Sequence, residues 1–293
     1  MRGLIFHLLA AIWLPSLVAP AGAAEIKISD YHVIILEGTI APGDYDKLRK
    51  LIEESCPSKS WSRTCPSNIY LASAGGSLTE AMKMGRLIRA LRLATQVPVD
   101  VPDDLRQRIV RSLKLQDPIN NYLCASACFF ISIAGIDRYS SLGKSILGIH
   151  RPYMSNTDLK TLSARQAMAS AAQVRTVVDA YLKEMGVPSK YADLMFSIPK
   201  DQVQWINEAD FEADFAGVIP ELKDWIDSQC DKRTDVEKRL DDVFDAKIIR
   251  GEQLTPEEQS IRLMLLQKRK AQVECETMVE DKLREDAWKA YRG

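Results

Sequence analysis

The chain has 293 residues, 46% hydrophobic and 27% charged, with 39 basic against 40 acidic residues. Such a composition excludes collagenous, low-complexity and wholly disordered chains, and a formal net charge of -1 supplies no global field for holding nucleic acid. The length suits one large domain with an appendage, or two domains, each able to bury a core.

Residues 1–24 read as a secretory signal peptide. Arg2 provides a positive start, an apolar run extends from Leu4 to Val18, and Ala21-Gly22-Ala23 fits a small-residue cleavage site. Cleavage is expected after Ala23 or Ala24. No later stretch offers eighteen uncharged apolar residues, so no stable membrane span is expected after processing, and the address is periplasmic or secreted. Cys56, Cys65, Cys124, Cys128, Cys230 and Cys275 all follow the signal. An even count in an exported chain favours disulfides over free thiols. Six cysteines leave about 15 connectivities open, of which the nearest-neighbour set is preferred. Zinc is disfavoured because no C-x2-C pair exists and only His32 and His150 remain after cleavage. No cofactor motif is present.

In chain order, residues 31–40 alternate and are β-branched, which predicts a strand; Asp44 to Glu54 has helical spacing. Asn68 to Ala72 reads as a short strand. A turn at Ala74-Gly75-Gly76-Ser77 and a helix from Leu78 to Leu91 follow, with Ser77 and Glu80 as a capping box. Residues 95–121, rich in proline and charge, read as an inserted loop with one helix from Asp103 to Leu115. Leu123 to Ile133 is apolar and buried, and Ser145 to His150 is another short strand. Ser163 to Met185 forms a long helix with a capping box at Ser163 and Gln166, and 201–219 a helix-turn segment. In residues 231–293, 29 of 63 positions are charged. Thr255-Pro256-Glu257-Glu258 starts a helix, so two charged helices are expected as an antiparallel hairpin. That hairpin serves either as a solvated extension or as a surface for a partner or for oligomerisation. Strands alternating with helices over 26–220 predict an α/β domain with a mainly parallel sheet, residues 25–222, followed by the hairpin, 223–293.

Three separated pieces carry chemistry. Gly75-Gly76 forms a tight corner whose amides stay unobstructed. Ser126, between Ala125 and Ala127, has steric room around its hydroxyl, although such a serine often merely caps a helix. His150 ends a strand, where catalytic groups of α/β sheets gather, although it could equally be a buried structural histidine. A serine nucleophile needs a base, and the base needs an orienting carboxylate. Asp201 is the chosen carboxylate, with Asp193 and Asp158 as rivals; Lys144 or Lys200 would serve a serine–lysine variant.

These pieces, in this order, resemble the Clp protease proteolytic subunit and its relatives in the crotonase-like superfamily. IYLASAGGSLTEAMKMGRLIR is similar to that family's strand, glycine turn and helix. CASACFFISIAG is similar to its nucleophile segment, ILGIHRPY to its histidine segment, and KDQVQWINEADFEADFAGVI to its closing stretch. The likeness spans roughly 30–220 and extends to secreted relatives whose nucleophile is bracketed by cysteines. It implies a repeated β-β-α spiral fold and a Ser126–His150–Asp201 triad, with Gly76 and Ala127 amides as the oxyanion hole. Ala74 stands where the family has a proline, and 95–121 and the hairpin lack counterparts in the family core; these additions could block or replace ring assembly. The expected activity is serine peptidase chemistry on a peptide or protein substrate. The alternative is a catalytically inactive peptide-binding or scaffold module. A crotonase-type acyl-CoA enzyme is disfavoured outside the cytoplasm. Homo-oligomerisation stays open, and no ATPase partner is expected where ATP is absent.

Overall fold

A computed structural model describes residues 23–58, 60–62, 64–116, 121–140, 143–152, 163–199 and 201–293. The expected signal peptide lies, up to residue 22, outside the described residues. The architecture is mixed α/β. Its centre is a six-stranded sheet, β1 (Glu25–Ile28), β2 (Val33–Glu37), β3 (Asn68–Ala72), β4 (Ala94–Val97), β7 (Asp137–Ser140) and β11 (Gly217–Val218), hydrogen-bonded in that order. The four inner strands run parallel, and the two edges, β1 and β11, are antiparallel.

Period-2 alternation divides the inner strands between two layers. Ile34, Leu36, Ile69 and Leu71 face one core, which is shared with α1 (Asp44–Ser55), α2 (Leu78–Ala90) and α4 (Ala127–Ser132). Ile35, Tyr70 and Ala72 face the other way, against α3 (Asp103–Leu113) and Tyr122. Residues 95–121 therefore differ from the expected inserted loop. Their first residues complete β4, an inner strand, and their helix covers the sheet's second face. Pairing β5 (Val99–Asp100) with β8 (Lys144–Ser145) ties this stretch down.

A second sheet orders β10 (Gln204–Trp205), β9 (Leu147–Ile149) and β6 (Cys124–Ala125). A bridge from Ser73 to Cys124 joins it to the end of β3. The remaining helices are α5 (Ala164–Glu184), α6 (Lys190–Ser197), α7 (Glu208–Asp214), α8 (Pro220–Gln229), α9 (Asp235–Ile249) and α10 (Pro256–Arg292). Full capping boxes start α5 at Ser163 and Gln166, α9 at Thr234 and Glu237, and α10 at Thr255 and Glu258. The α9–α10 hairpin returns to the body. Trp288 of α10 is fully buried in the main core and donates from Nε1 to the Ser58 carbonyl at 3.0 Å.

Disulfides join Cys56 to Cys65, Cys124 to Cys128 and Cys230 to Cys275, the nearest-neighbour set. The last pair closes 45 residues, against 9 for the first. In the chain-entropy account, replacing Cys230 and Cys275 by alanine should cost about 4 kcal/mol, and replacing Cys56 and Cys65 about 3 kcal/mol. Urea unfolding under non-reducing conditions checks that ranking.

Candidate active site

The segment Cys124-Ala125-Ser126-Ala127-Cys128 leaves a two-residue strand and enters a six-residue helix within one turn. Ser126 takes the bend, with φ +59° and ψ -121°, a conformation L-residues seldom adopt. Strain of this kind persists only where neighbours over-determine it. Here the Ser126 amide donates to the Gly148 carbonyl at 3.0 Å, the Ala125 amide to Ser73 at 3.0 Å, and the Phe129 amide to the Ser126 carbonyl at 3.1 Å. The Cys124–Cys128 bond closes the same turn from two fully buried cysteines. The hydroxyl itself does not cap α4 and makes no hydrogen bond among the described residues. Buried alanines flank it, and Ser126 stays half-buried.

The glycine corner is built against this serine. Fully buried Ser73 donates to the Gly38 carbonyl at 2.5 Å and accepts the Gly75 amide at 3.1 Å. Ile40 clamps the turn from both sides: its amide donates to the Gly75 carbonyl, and its carbonyl accepts from Ser77, each at 2.8 Å. Gly75 and Gly76 have φ +113° and +138°. A Cβ on Gly75 would lie 2.5 Å from Ser126 Cβ and 2.9 Å from its Oγ, whereas one on Gly76 would lie 2.1 Å from the Ile40 carbonyl. The Gly75 amide is thus consumed by Ser73. The Gly76 amide, on an exposed residue, and the Ala127 amide, first in α4, have no acceptor among the described residues. They are the two donors the sequence reading named.

The capping box expected at Ser77 and Glu80 forms only by half. Ser77 accepts the Glu80 amide at 3.4 Å, but the Ser77 amide is already committed to Ile40. The Glu80 carboxylate accepts instead from Gly43 at 3.1 Å and Tyr45 at 3.2 Å, pinning α1 to α2 beneath the corner. The hydrogen bond from Lys83, with help from those amides, holds Glu80 below the usual carboxylate range against the opposing pull of burial.

His150 follows β9, and β9 pairs in parallel with β6, Ala125 opposite Gly148. That register brings Ser126 and His150 to the C-terminal ends of neighbouring strands, where the corner also sits. The His150 Nδ1 lies 2.8 Å from the Arg151 carbonyl. A carbonyl only accepts, so Nδ1 carries the proton and Nε2 is the basic nitrogen. Asp201 is not brought to His150. In the antiparallel pairing, Gln204 faces Ile149 and Trp205 faces Gly148, which sets Val203 opposite His150 and Asp201 two residues further on. No hydrogen bond joins Asp201 to His150 among the described residues; the Arg151 carbonyl holds Nδ1 in its place.

Of the alternatives, Asp193 is ion-paired with Arg175. Lys144 is exposed on β8, four residues before Gly148, about 13 Å along an extended chain. Asp158 and Lys200 lie outside the described residues. Sequence reasoning missed Ser73, Ile40 and Gly148. A Cβ on Gly148 would meet Val203 and Trp205 at 2.8 Å, so these two exposed apolar side chains form a wall beside the histidine strand. Nothing in their local sequence marks these residues, because their roles come from pairings between distant segments.

No family model matches the chain, and no curated protein matches it. Among solved structures, a point mutant of ClpP1 from Listeria monocytogenes is similar at 13% identity and a TM-score of 0.39, covering 64% of this chain and 90% of that one.

Proposed function

We propose that the protein is an exported serine hydrolase acting on peptide bonds. The observation that carries this reading is the Ser126 turn: a strained, disulfide-bracketed serine whose hydroxyl is left uncommitted beside a histidine strand end and two unpaired amides. In the proposed reaction, Ser126 Oγ attacks the peptide carbonyl carbon while His150 Nε2 takes the hydroxyl proton. The carbonyl electrons move onto oxygen, where the Gly76 and Ala127 amides receive the charge. Collapse of the tetrahedral intermediate breaks the C–N bond, and His150 returns the proton to the leaving amine. Water, deprotonated by the same imidazole, then hydrolyses the acyl-enzyme. Val203 and Trp205 offer an apolar wall for a substrate side chain.

Three disulfides suit an oxidising compartment outside the cytoplasm; removal of residues 1–24 and operation without an ATPase partner belong to the same proposal. Asp201 remains the proposed orienter if residues 150–152 shift on substrate binding. Asp201→Asn should then lower the rate by about 10⁴, as loss of a triad carboxylate does elsewhere, whereas an effect within a few-fold assigns that role to the Arg151 carbonyl.

Labelling by a fluorophosphonate probe, with disulfides intact, tests the main reading. The wild type should label, and Ser126→Ala and His150→Ala should not. A signal that survives Ser126→Ala eliminates the nucleophile. The main-chain contact of Nδ1 favours one second reading, an inactive groove that holds an extended peptide by strand addition. Saturable peptide binding with no labelling of the wild type would establish it.

A further inference from the structure

Two arginines, Arg138 buried and Arg89 half-buried, have no carboxylate counter-ion within 4.0 Å among the described residues. Arg138 of β7 is 6% exposed; its Nε donates to the Gly135 carbonyl at 3.1 Å and its Nη2 to Met185 at 2.8 Å. Arg89, at the end of α2, donates from Nε to Ala134 at 2.8 Å and from Nη2 to Ile133 at 3.2 Å. Each guanidinium thereby caps carbonyls at a helix end, which accounts for two of its three nitrogens. The Nη1 of each has no acceptor, and no carboxylate comes within 4.0 Å of either group, among the described residues. Buried charge is normally paired, so the position of Arg138, with the half-buried Arg89 beside it, is unusual.

Both guanidiniums line one cavity of about 430 Å³, bounded also by Lys183 at the end of α5 and by the start of α8. That volume falls in the range of small-molecule sites. Three carboxylates share the lining, but two are already committed: Glu184 is held by Arg86 at 2.8 Å, and Asp214 by Lys190 and the Tyr191 hydroxyl. Glu221, exposed in the first turn of α8, is the remaining one. Lys183 has no ion pair among the described residues.

We propose that this cavity is an oxyanion-binding site, taking a phosphate or carboxylate group on the Nη1 groups of Arg89 and Arg138, with Lys183 at its mouth. Planar guanidinium forks match both anions, and an occupant would relieve the mutual repulsion of the two arginines. Burial first, and then the like charge of Arg89, push the Arg138 guanidinium down to about 9, the direction expected of a cation lacking its counter-ion. The site is separate from Ser126: Ser126 precedes α4, while Arg89 binds carbonyls at that helix's other end, about 10 Å away along the axis.

Calorimetric titration of the full chain with sodium phosphate, and separately with sodium acetate, at constant ionic strength tests the site. A saturable phosphate or acetate signal in the millimolar range or tighter, accompanied by a rise in Tm, is expected, and the preferred probe identifies the anion class. Lys183→Gln, an exposed change that should leave folding intact, should weaken binding roughly threefold to tenfold, and Glu221→Gln should tighten it by a similar factor. Arg138→Gln should abolish binding, provided its circular dichroism matches the wild type. Absence of saturable binding by both the wild type and Glu221→Gln would overturn the site. So would binding that Lys183→Gln and a folded Arg138→Gln leave unchanged.

Discussion

Gly75→Ala, beyond the backbone strain of an alanine at φ +113°, should lower labelling by a serine probe about 10²-fold or more, the penalty that a displacement near 1 Å exacts on a reacting group. The new Cβ would stand 2.5 Å from Ser126 Cβ and 2.9 Å from Oγ. No rotamer change moves Ser126 Cβ, so relief requires the Ser126 turn and the Ala125 carbonyl, at 2.9 Å, to shift, which displaces Oγ. Gly76→Ala, one residue on, should cost more stability. Its Cβ would meet only main chain, the Ile40 carbonyl at 2.1 Å and the Ile40 nitrogen at 2.8 Å. Relief there requires breaking the two bonds by which Ile40 clamps the turn, so the cost appears as lost stability, several kcal/mol, rather than as lost reactivity alone. Measuring labelling rate and urea midpoint for both variants separates the two. A Gly75→Ala protein that labels at the wild-type rate would show that the reactive hydroxyl is not the one packed against this corner.

The contrast between these glycines also shows how far the sequence could be read. The doublet announced a tight corner, but which glycine faces the serine depends on the meeting of β3, β6 and residue 40, three segments far apart in the chain. β2, β3, α1 and α2 were legible because their apolar spacing is local and continuous. The boxes at Ser163 and Thr255 were legible for the same reason: cap and partner lie three residues apart. β4 and β7 were hidden because ATQV and DRYS carry polar residues that only the finished sheet pairs. β1 was hidden by its polar alternation and by a turn at His32, with φ +57°, that no glycine signals. Ser126 and His150 stand out by residue type, yet the register that brings them to neighbouring strand ends rests on strands of two and three residues, too short for any periodicity. Asp201 draws attention by its place before a helix, a property that many N-cap aspartates share, and the β9–β10 register sets it beyond His150.

The C-terminal helix was the hardest to read, and Trp288→Ala should expose why. Over its 37 residues α10 is strongly polar, with Met278, Leu263 and Val273 exposed and only Leu265, Arg284 and Trp288 buried. Averaged, this reads as a solvated helix; in the fold, one indole anchors its far end. Trp288 is fully buried, packs edge-on to Trp61 at 5.9 Å and against Tyr291 at 5.6 Å, and donates to Ser58 inside the loop closed by Cys56 and Cys65. Replacing it by alanine empties a large site and orphans that carbonyl, so a loss of about 3–5 kcal/mol in urea unfolding is expected. Met278→Ala, on the exposed side of the same helix, should change stability by less than about 0.5 kcal/mol. Because the indole holds the disulfide loop as well as the helix, Trp288→Ala combined with loss of the Cys56–Cys65 bond should fall short of the summed single effects by roughly 1 kcal/mol, the scale found for groups in contact. Strict additivity in that cycle would mean the helix end and the loop are stabilised independently, and that α10 is an attachment rather than part of the core.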